Sequence, residues 1–401
     1  MNAKQQISDA KLVLAINGGS SSLKFALFDK GRSLERIISG EIERIGSTKA
    51  KFSYRDGSNG PQKKHYLVVP DHRAAAVFLL HWLDQHFGLR GIIAVGHRIV
   101  HGGNRFIEPT LVTSQLLKEL RRLSPFDPEH LPSELTALET FHRQMPGVPQ
   151  TACFDTAFHY AMPRVAQILP LPRRLQARGV RRYGFHGLSY EYLMEELTRV
   201  AGRKAAHSRV VLAHLGNGAS MAAVSGGKSQ DTSMGFTPAA GLPMSTRSGD
   251  LDPGLIWYLA RTEKMLPHQF NKMVNEQSGL LGISETSSDM RDLLARETKD
   301  VRAAEAVVHF CYQARKWIGA YAAALGGLDT LVFSGGIGEN SPVIRERICE
   351  DLEFLGVKVN KARNSRGPGI ISARNSRVTV RVMRTDEEVV IARAASLLLK
   401  K

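Results

Sequence analysis

The apolar residues of the chain come in short unbroken runs, several of them closed by glycine. Leu12-Val-Leu-Ala-Ile16 has no polar interruption before Asn17, which predicts a buried strand, and Gly18-Gly19-Ser20-Ser21-Ser22 predicts a tight turn after it. Leu23 to Asp29 alternates well enough for a second strand. The pattern returns half a chain later, with Val211 to Leu215 as a strand, Gly216 to Ser220 as a turn and Met221 to Ser225 as another strand. At an offset of 198, Val13, Gly18 and Ser22 fall on Val211, Gly216 and Ser220, so one supersecondary unit occurs twice. Further strands are expected at 91–96, 150–154 and 330–334. Helical patterns are expected at 72–87, 114–123, 132–143, 189–201, 254–262, 303–325, 342–354 and 387–400. Strands interleaved with helices define an α/β protein. Residues 361–377 are basic and rich in turn formers, and read as a loop.

Composition narrows the partners. A length of 401 residues suggests two or three domains. No apolar run approaches the ~18–20 residues needed to cross a bilayer, and residues 1–11 lack the apolar segment of a secretory signal. Cys153, Cys311 and Cys349 are odd in number and far apart, which argues against a disulfide framework and suits a reducing cytoplasm. No Cys/His spacing reads as a zinc site. The charge is unusual: 54 Lys and Arg against 38 Asp and Glu, a net +16. Such a field favours an anionic partner: nucleic acid, anionic lipid or a small acidic substrate. A basic tail, an aromatic RNA-binding motif and a helix-turn-helix signal are all missing, which disfavours nucleic acid. Most of the excess is expected on solvated surface, as at Arg121-Arg122, Arg173-Arg174, Arg181-Arg182 and 361–381.

The candidate chemistry lies at glycine turns and strand ends. Turns at 17–22, 102–104, 216–218 and 335–340 let backbone N–H groups approach an anion closely. Gly335-Gly-Ile-Gly-Glu-Asn340 is the best placed, between a strand and a helix. Gly227-Lys228-Ser229 is not a phosphate loop, because Ala222 stands where its first glycine belongs, and it reads as a hairpin. A dinucleotide G-x-G-x-x-G after the first strand is also absent. Arg98 at a strand end suits fork-like recognition of carboxylate or phosphate, or is a surface arginine. Asp155 closes another strand. His186 sits between Phe185 and Gly187, and Arg247 lies in the polar run 244–250. Singly, each also fits a structural role.

In order, these segments resemble the acetokinase family. The resemblance is carried by Asn17 to Lys24, Gly96 to Gly103, Phe154 to His159, Arg182 to Gly187, His214 to Gly218, Thr246 to Asp250, Gly335 to Asn340 and Thr385 to Glu388. It implies two duplicated actin-like (ribonuclease H-like) domains with a cleft between them. The first would be 1–156 with 385–401 returning to it, and the second 157–384. It also implies a cytoplasmic homodimer catalysing ATP + acetate ⇌ ADP + acetyl phosphate with Mg²⁺ (Mn²⁺ as the substitute). By position, Asn17 and Glu387 would contact the metal, Lys24 would lie on the phosphate side, and Arg98 would hold the substrate carboxylate. Asp155, His186 and Arg247 would be catalytic. Val100, Phe126, Phe185 and Pro238 would form the methyl pocket. His214, Leu215, Gly216, Asn217, Gly218, Asp289, Met290, Arg291, Gly336, Ile337, Gly338, Glu339 and Asn340 would line the nucleotide site.

Chemistry revises one of these roles. Acetate is already ionised near pH 7, so Asp155 is expected to act through the metal and by orienting arginine and water, not as the acid/base the family assigns. The chain also departs from the family. Asp127 stands where many members have a histidine, with His130 three positions on. Phe126 replaces a leucine, adding bulk that favours acetate over propionate, the alternative substrate. Ser245 replaces a glycine, and Tyr190 a second histidine after His186. A chaperone-like ATPase of the same superfold would need neither Arg98 nor His186 in these motifs.

Overall fold

The computed structural model describes residues 11–31, 33–57 and 60–399. The signal-free reading of 1–11 and the last position of the 387–400 helix fall almost wholly or wholly outside those residues. The chain divides into two compact units, Met1–Ala157 with Asp386–Lys401, and Phe158–Thr385.

The first unit is one eight-stranded sheet. Its strands are β1 (Leu12–Gly18), β2 (Ser22–Asp29), β3 (Glu35–Glu43), β4 (Ala50–Asp56), β5 (Lys63–Leu67), β6 (Ile92–Ile99), β7 (Thr110–Leu111) and β8 (Gln150–Phe154), in the order β5-β4-β3-β2-β1-β6-β8-β7. β1 to β5 form an antiparallel meander, and β6 and β8 continue the sheet parallel to β1. β1 and β8 are buried at every position because helices cover both faces of the parallel part. Helix α1 (His72–Phe87), capped by Asp71 on the Ala74 N–H, seats Leu79 and Trp82 on Phe25, Phe52 and Val95. The next residue after Val95, Gly96, faces the opposite way. A Cβ there would lie 2.5 Å from Ile391 Cγ2, so glycine admits the C-terminal helix (Glu387–Leu398) against β1 and β6.

The second unit holds β9 (Val210–Leu215), β10 (Ala219–Ser225), β11 (Lys228–Thr232), β12 (Thr330–Ser334), β13 (Gly369–Ile370) and β14 (Thr379–Val382), ordered β11-β10-β9-β12-β14-β13. β9 to β11 are antiparallel, and β12 and β14 follow parallel to β9. The series β11-β10-β9-β12-β14 therefore has the order and directions of β3-β2-β1-β6-β8. The repeat is thus topological. Its offset of 198 holds for the first hairpin only, because β6 starts at Ile92 whereas β12 starts at Thr330, after a helical insertion.

Several local expectations change. The chain adds β3, β4 and β5, which the hydrophobic pattern does not announce. Gly335–Asn340 is a short helix in its own right, and the following helix ends at Cys349, with extended backbone at Glu350, instead of continuing to 354. The 361–377 segment contains a helical turn, Lys361–Asn364, and β13. Ala222 to Ser229 is the β10–β11 hairpin, with Ser225 paired to Lys228. Among the described residues, no helix is long and apolar enough to cross a membrane.

Candidate functional site

In the first unit, the ends of β1, β6 and β8 gather one set of polar residues. Parallel register aligns Asn17 with Arg98, and Arg98 with Cys153, two residues before Asp155. Arg98 donates from Nε (3.0 Å) and Nη2 (2.7 Å) to Asp155 Oδ2, and from Nη1 to Gly18 O (2.7 Å) and Glu134 Oε1 (2.9 Å). The fork expected to face substrate is thus largely engaged by the protein's own acceptors. Glu134 lies on α3 (Leu131–Gln144), the helix after α2 (Ser114–Leu123), and its second oxygen accepts the Val100 N–H at 2.7 Å. Burial pushes the Glu134 carboxyl up to about 8, against the pull of Arg98 and the Val100 amide. Asp127 and His130 form a buried pair, with Nδ1 2.9 Å from Oδ1. Phe126 meets the His101 ring edge to face at 5.5 Å.

Asn17 Nδ2 donates to Glu387 Oε2 (2.8 Å) and Glu388 Oε1 (3.2 Å). Lys24 pairs with Asn17 across β1–β2 and with Glu41 across β2–β3. Desolvation opposes the Lys24 ammonium, but Glu41, Glu388 and Glu387 outweigh it and raise its pKa. Burial raises the carboxyls of Glu388 and Glu41 despite Lys24, and repulsion from neighbouring carboxylates adds to it. This donor set fits a hard divalent cation: amide and carboxylate oxygens, amid carboxylates a cation would relieve. Among the described residues, no three His, Cys, Asp or Glu side chains form a metal cluster.

The second unit gathers another set around the β9–β10 turn. His186 takes left-handed backbone (φ 59°) just before α4 (Gly187–Ala206), an uncommon state for a non-glycine residue. Gly184 (φ 76°) sets up this bend; a Cβ there would lie 2.4 Å from Thr232 and 2.6 Å from His159. His159 is 3.1 Å through Nε2 from the Phe185 carbonyl. The His186 ring lies 4.4 Å from that of His214, and its Nδ1 is 2.8 Å from Ser220 Oγ, which in turn is 2.5 Å from the Tyr190 hydroxyl. A Cβ on Gly218 would sit 3.3 Å from His186 Nε2 and 3.7 Å from Arg247 Nη1, so both cationic-type groups converge on that glycine. Arg247 also donates to Pro238 O at 3.4 Å. Asn217 O accepts the Ser245 N–H.

The Gly335–Asn340 helix abuts the same turn, since a Cβ on Gly335 would lie 2.7 Å from Leu215 O. Its polar side chains bond to backbone groups. Glu339 Oε1 accepts from the N–H groups of Gly335 (3.1 Å) and Thr385 (3.3 Å), and Asn340 Nδ2 donates to Gly336 O. Gly336 is exposed, Ile337 half-buried and Gly338 buried against β9. Leu215, Pro238 and Phe185 are buried, as is Val100 in the first unit. Asp289 caps the helix Met290–Arg296 and pairs with the exposed Arg291 side chain, while Met290 points into the core. Among the described residues, no hydrogen bond joins Asp289–Arg291 to the glycine turns.

Three residues have a supporting role that the sequence reading does not assign to them. Glu134 was one, although a carboxylate on the apolar stripe Leu131, Leu135, Leu138 was a signal. Ser220, the hydroxyl beneath His186, was another. Arg345 was the third: fully buried, it donates to Gly338 O (2.8 Å), Glu339 O (3.0 Å), Asn364 Oδ1 (2.8 Å) and Asn364 O (2.7 Å), fixing the glycine helix from below.

A repeated sheet of this order, with glycine turns at corresponding strand ends, defines an actin-like α/β protein built from two such units. The sequence matches the acetokinase family over residues 12–393, and the chain belongs to that family. It is 44% identical to a propionate kinase of Citrobacter rodentium over 386 residues, 95% of each chain. It is 42% identical to an acetate kinase of Methylocella silvestris, covering 97% of this chain and 98% of that one. The crystal structure of Porphyromonas gingivalis acetate kinase superposes with a TM-score of 0.87 at 37% identity, over 97% of this chain and 100% of that one.

Proposed function

We propose that the protein is a Mg²⁺-dependent kinase that transfers the γ-phosphoryl group of ATP reversibly to acetate, giving acetyl phosphate and ADP. The observation that carries this reading is the convergence of His186 and Arg247 on the Gly216–Gly218 turn, beside the Gly335–Asn340 helix. Phosphoryl transfer proceeds through a loose transition state with charge on the equatorial oxygens, and preorganised donors stabilise it. His186 Nε2 and the Arg247 guanidinium are such donors, and the glycine turns leave room for phosphate beside them. In the first unit, Arg98 attracts the substrate carboxylate, with Val100 and Phe126 beside it for the methyl group. Asp155 is fully buried and accepts twice from Arg98. It positions the guanidinium and abstracts no proton, because the attacking carboxylate is already ionised. Asn17 and Glu387 would hold Mg²⁺, which when bound neutralises phosphate charge. Lys24 adds a fixed positive charge beside them.

Propionate is the second reading, supported by the 44% identical propionate kinase. Both readings are tested by trapping the acyl phosphate with hydroxylamine over acetate, propionate and butyrate, with and without Mg²⁺. The expected result is metal-dependent hydroxamate with the highest kcat/KM for acetate. A propionate preference overturns the choice of acid, and no hydroxamate from any acid overturns the kinase reading. We further place the protein in the cytoplasm as a homodimer. The helix Gly254–Thr262 supports the dimer, since it exposes Ile256, Trp257 and Tyr258 beside Leu251 and Leu266, a patch a second copy would cover.

A further inference from the structure

Arg98 has five N–H bonds, and four are committed: two to Asp155, one to Gly18 O and one to Glu134. The side chains of Glu134 and Asp155 are 1% and 0% exposed and that of Arg98 is 13% exposed, so water screens this cluster poorly. One cation is thus shared by two buried carboxylates. Resting on the reading above, in which the substrate carboxylate comes to Arg98, a third carboxylate must join them. Three anions on one guanidinium leave a surplus that a buried site does not sustain, and the cheapest relief is a proton on the least stabilised carboxyl.

That carboxyl is Glu134. Asp155 accepts two bonds from the charged guanidinium, whereas Glu134 accepts one, its other partner being the neutral Val100 amide. The charged and titratable groups facing Glu134 are Arg98 on β6, Asp155 after β8, and Asp127 with its partner His130 from the turn before α3. Glu387, on the C-terminal helix, acts on Arg98 from further off. Of these, Asp127 and Asp155 oppose the Glu134 anion. Burial works in the same direction and holds the carboxyl near 8.

We propose that an anionic carboxylate binds at Arg98 only with Glu134 in the neutral acid form, so that substrate binding and protonation of Glu134 form one linked event. Where Glu134 is ionised beforehand, the proton comes from solvent, converts the carboxylate to the neutral acid, and returns when the substrate leaves. No bond of the substrate changes. Glu134 acts through Arg98 and is a positioning residue.

The test is the dissociation constant of acetate for the intact protein without nucleotide, read from broadening of the acetate methyl resonance between pH 6 and 9.5. The expected Kd is level below about pH 7 and rises towards tenfold per pH unit above about 8, while Glu134→Gln removes that rise. Calorimetry of the unaltered protein in buffers of different ionisation heat is expected to show uptake approaching one proton at pH 9 and almost none at pH 6, which decides the matter even if the variant fails to fold. A level Kd up to pH 9.5, an equal slope in Glu134→Gln, or no proton uptake at pH 9 overturns the proposal while leaving the kinase reading intact. Failure of acetate and propionate to bind at any pH overturns the carboxylate reading and the proposal together.

Discussion

His186 is held in an unfavourable backbone state by its surroundings, and the Tyr190–Ser220 pair is the part of those surroundings that can be removed atom by atom. Tyr190 and Ser220 are both fully buried. Tyr190→Phe deletes one hydroxyl and leaves the ring against Phe158 and His159. A single buried hydrogen bond of this kind contributes about 0.5–1.5 kcal/mol net, so a stability loss of about 1 kcal/mol is expected. Ser220→Ala removes its bonds to Tyr190 and His186 together and is expected to cost about 2 kcal/mol. The effect on catalysis is larger than on stability, because His186 acts only when its Nε2 is aimed towards Gly218. Misplacement by about 1 Å costs roughly a hundredfold. The expected loss in kcat is about tenfold for Tyr190→Phe and tenfold to a hundredfold for Ser220→Ala, with KM for acetate changing less than threefold. The two act in series, so the double variant should be no worse than Ser220→Ala alone. The hydroxamate assay measures the kinetics, and urea unfolding measures the stability. Additive losses in kcat, or a Tyr190→Phe enzyme within twofold of the parent, refute the serial arrangement.

Two further predictions follow from buried charge. Arg345→Ala leaves four acceptors without their shared donor and should cost about 3–5 kcal/mol, with KM for ATP rising more than KM for acetate because the Gly335–Asn340 helix loses its support. Equal rises in both KM values would show that Arg345 serves only global stability. Stability should also peak near pH 6.5. Burial pushes His97 and His159 down to about 4 from an ordinary 6.5, so the stability they confer is present above 6.5 and lost as the pH falls towards 4. Glu134 is raised to about 8 from 4.5, so its contribution is full below 4.5 and lost as the pH rises through 8, at up to about 1.4 kcal/mol per pH unit. Below pH 6.5 the two histidines outweigh Glu134; above it Glu134 leads, and the raised carboxyls of Glu41 and Glu388 act in the same direction. Urea midpoints at pH 5, 6.5 and 8 check this, and Glu134→Gln should flatten the alkaline side and steepen the acid side.

The residues legible in the sequence are those whose role is written into a short local pattern. β1 and its turn were legible because an apolar run ending in Asn17-Gly18-Gly19 has few alternatives, and helices 72–87, 114–123 and 254–262 because their patterns are unbroken. β5 was not legible. Lys63-Lys-His-Tyr-Leu67 is mostly exposed and is a strand because β4 offers it a backbone ladder, a property of the neighbour and not of the segment. The site divides in the same way. Arg98, Asp155 and His186 stand at strand ends or beside glycine, where a side chain is offered to a ligand. Glu134 and Arg345 stand inside helices among leucines and isoleucines, and the partners that give them meaning lie 36 residues away at Arg98 and 19 away at Asn364. What they share is a charge on a buried helix face, where burial without a partner costs several kcal/mol. An unexplained charge on an apolar stripe is therefore a signal in its own right: it predicts a buried partner before the partner can be named. In both cases here the network reaches the backbone of a glycine-bearing segment, Gly18 O on the Arg98 that Glu134 holds and Gly338 O on Arg345 itself. Charges of this kind stiffen the turns that the candidate chemistry depends on, which is why truncating them should show in a KM as well as in a melting temperature.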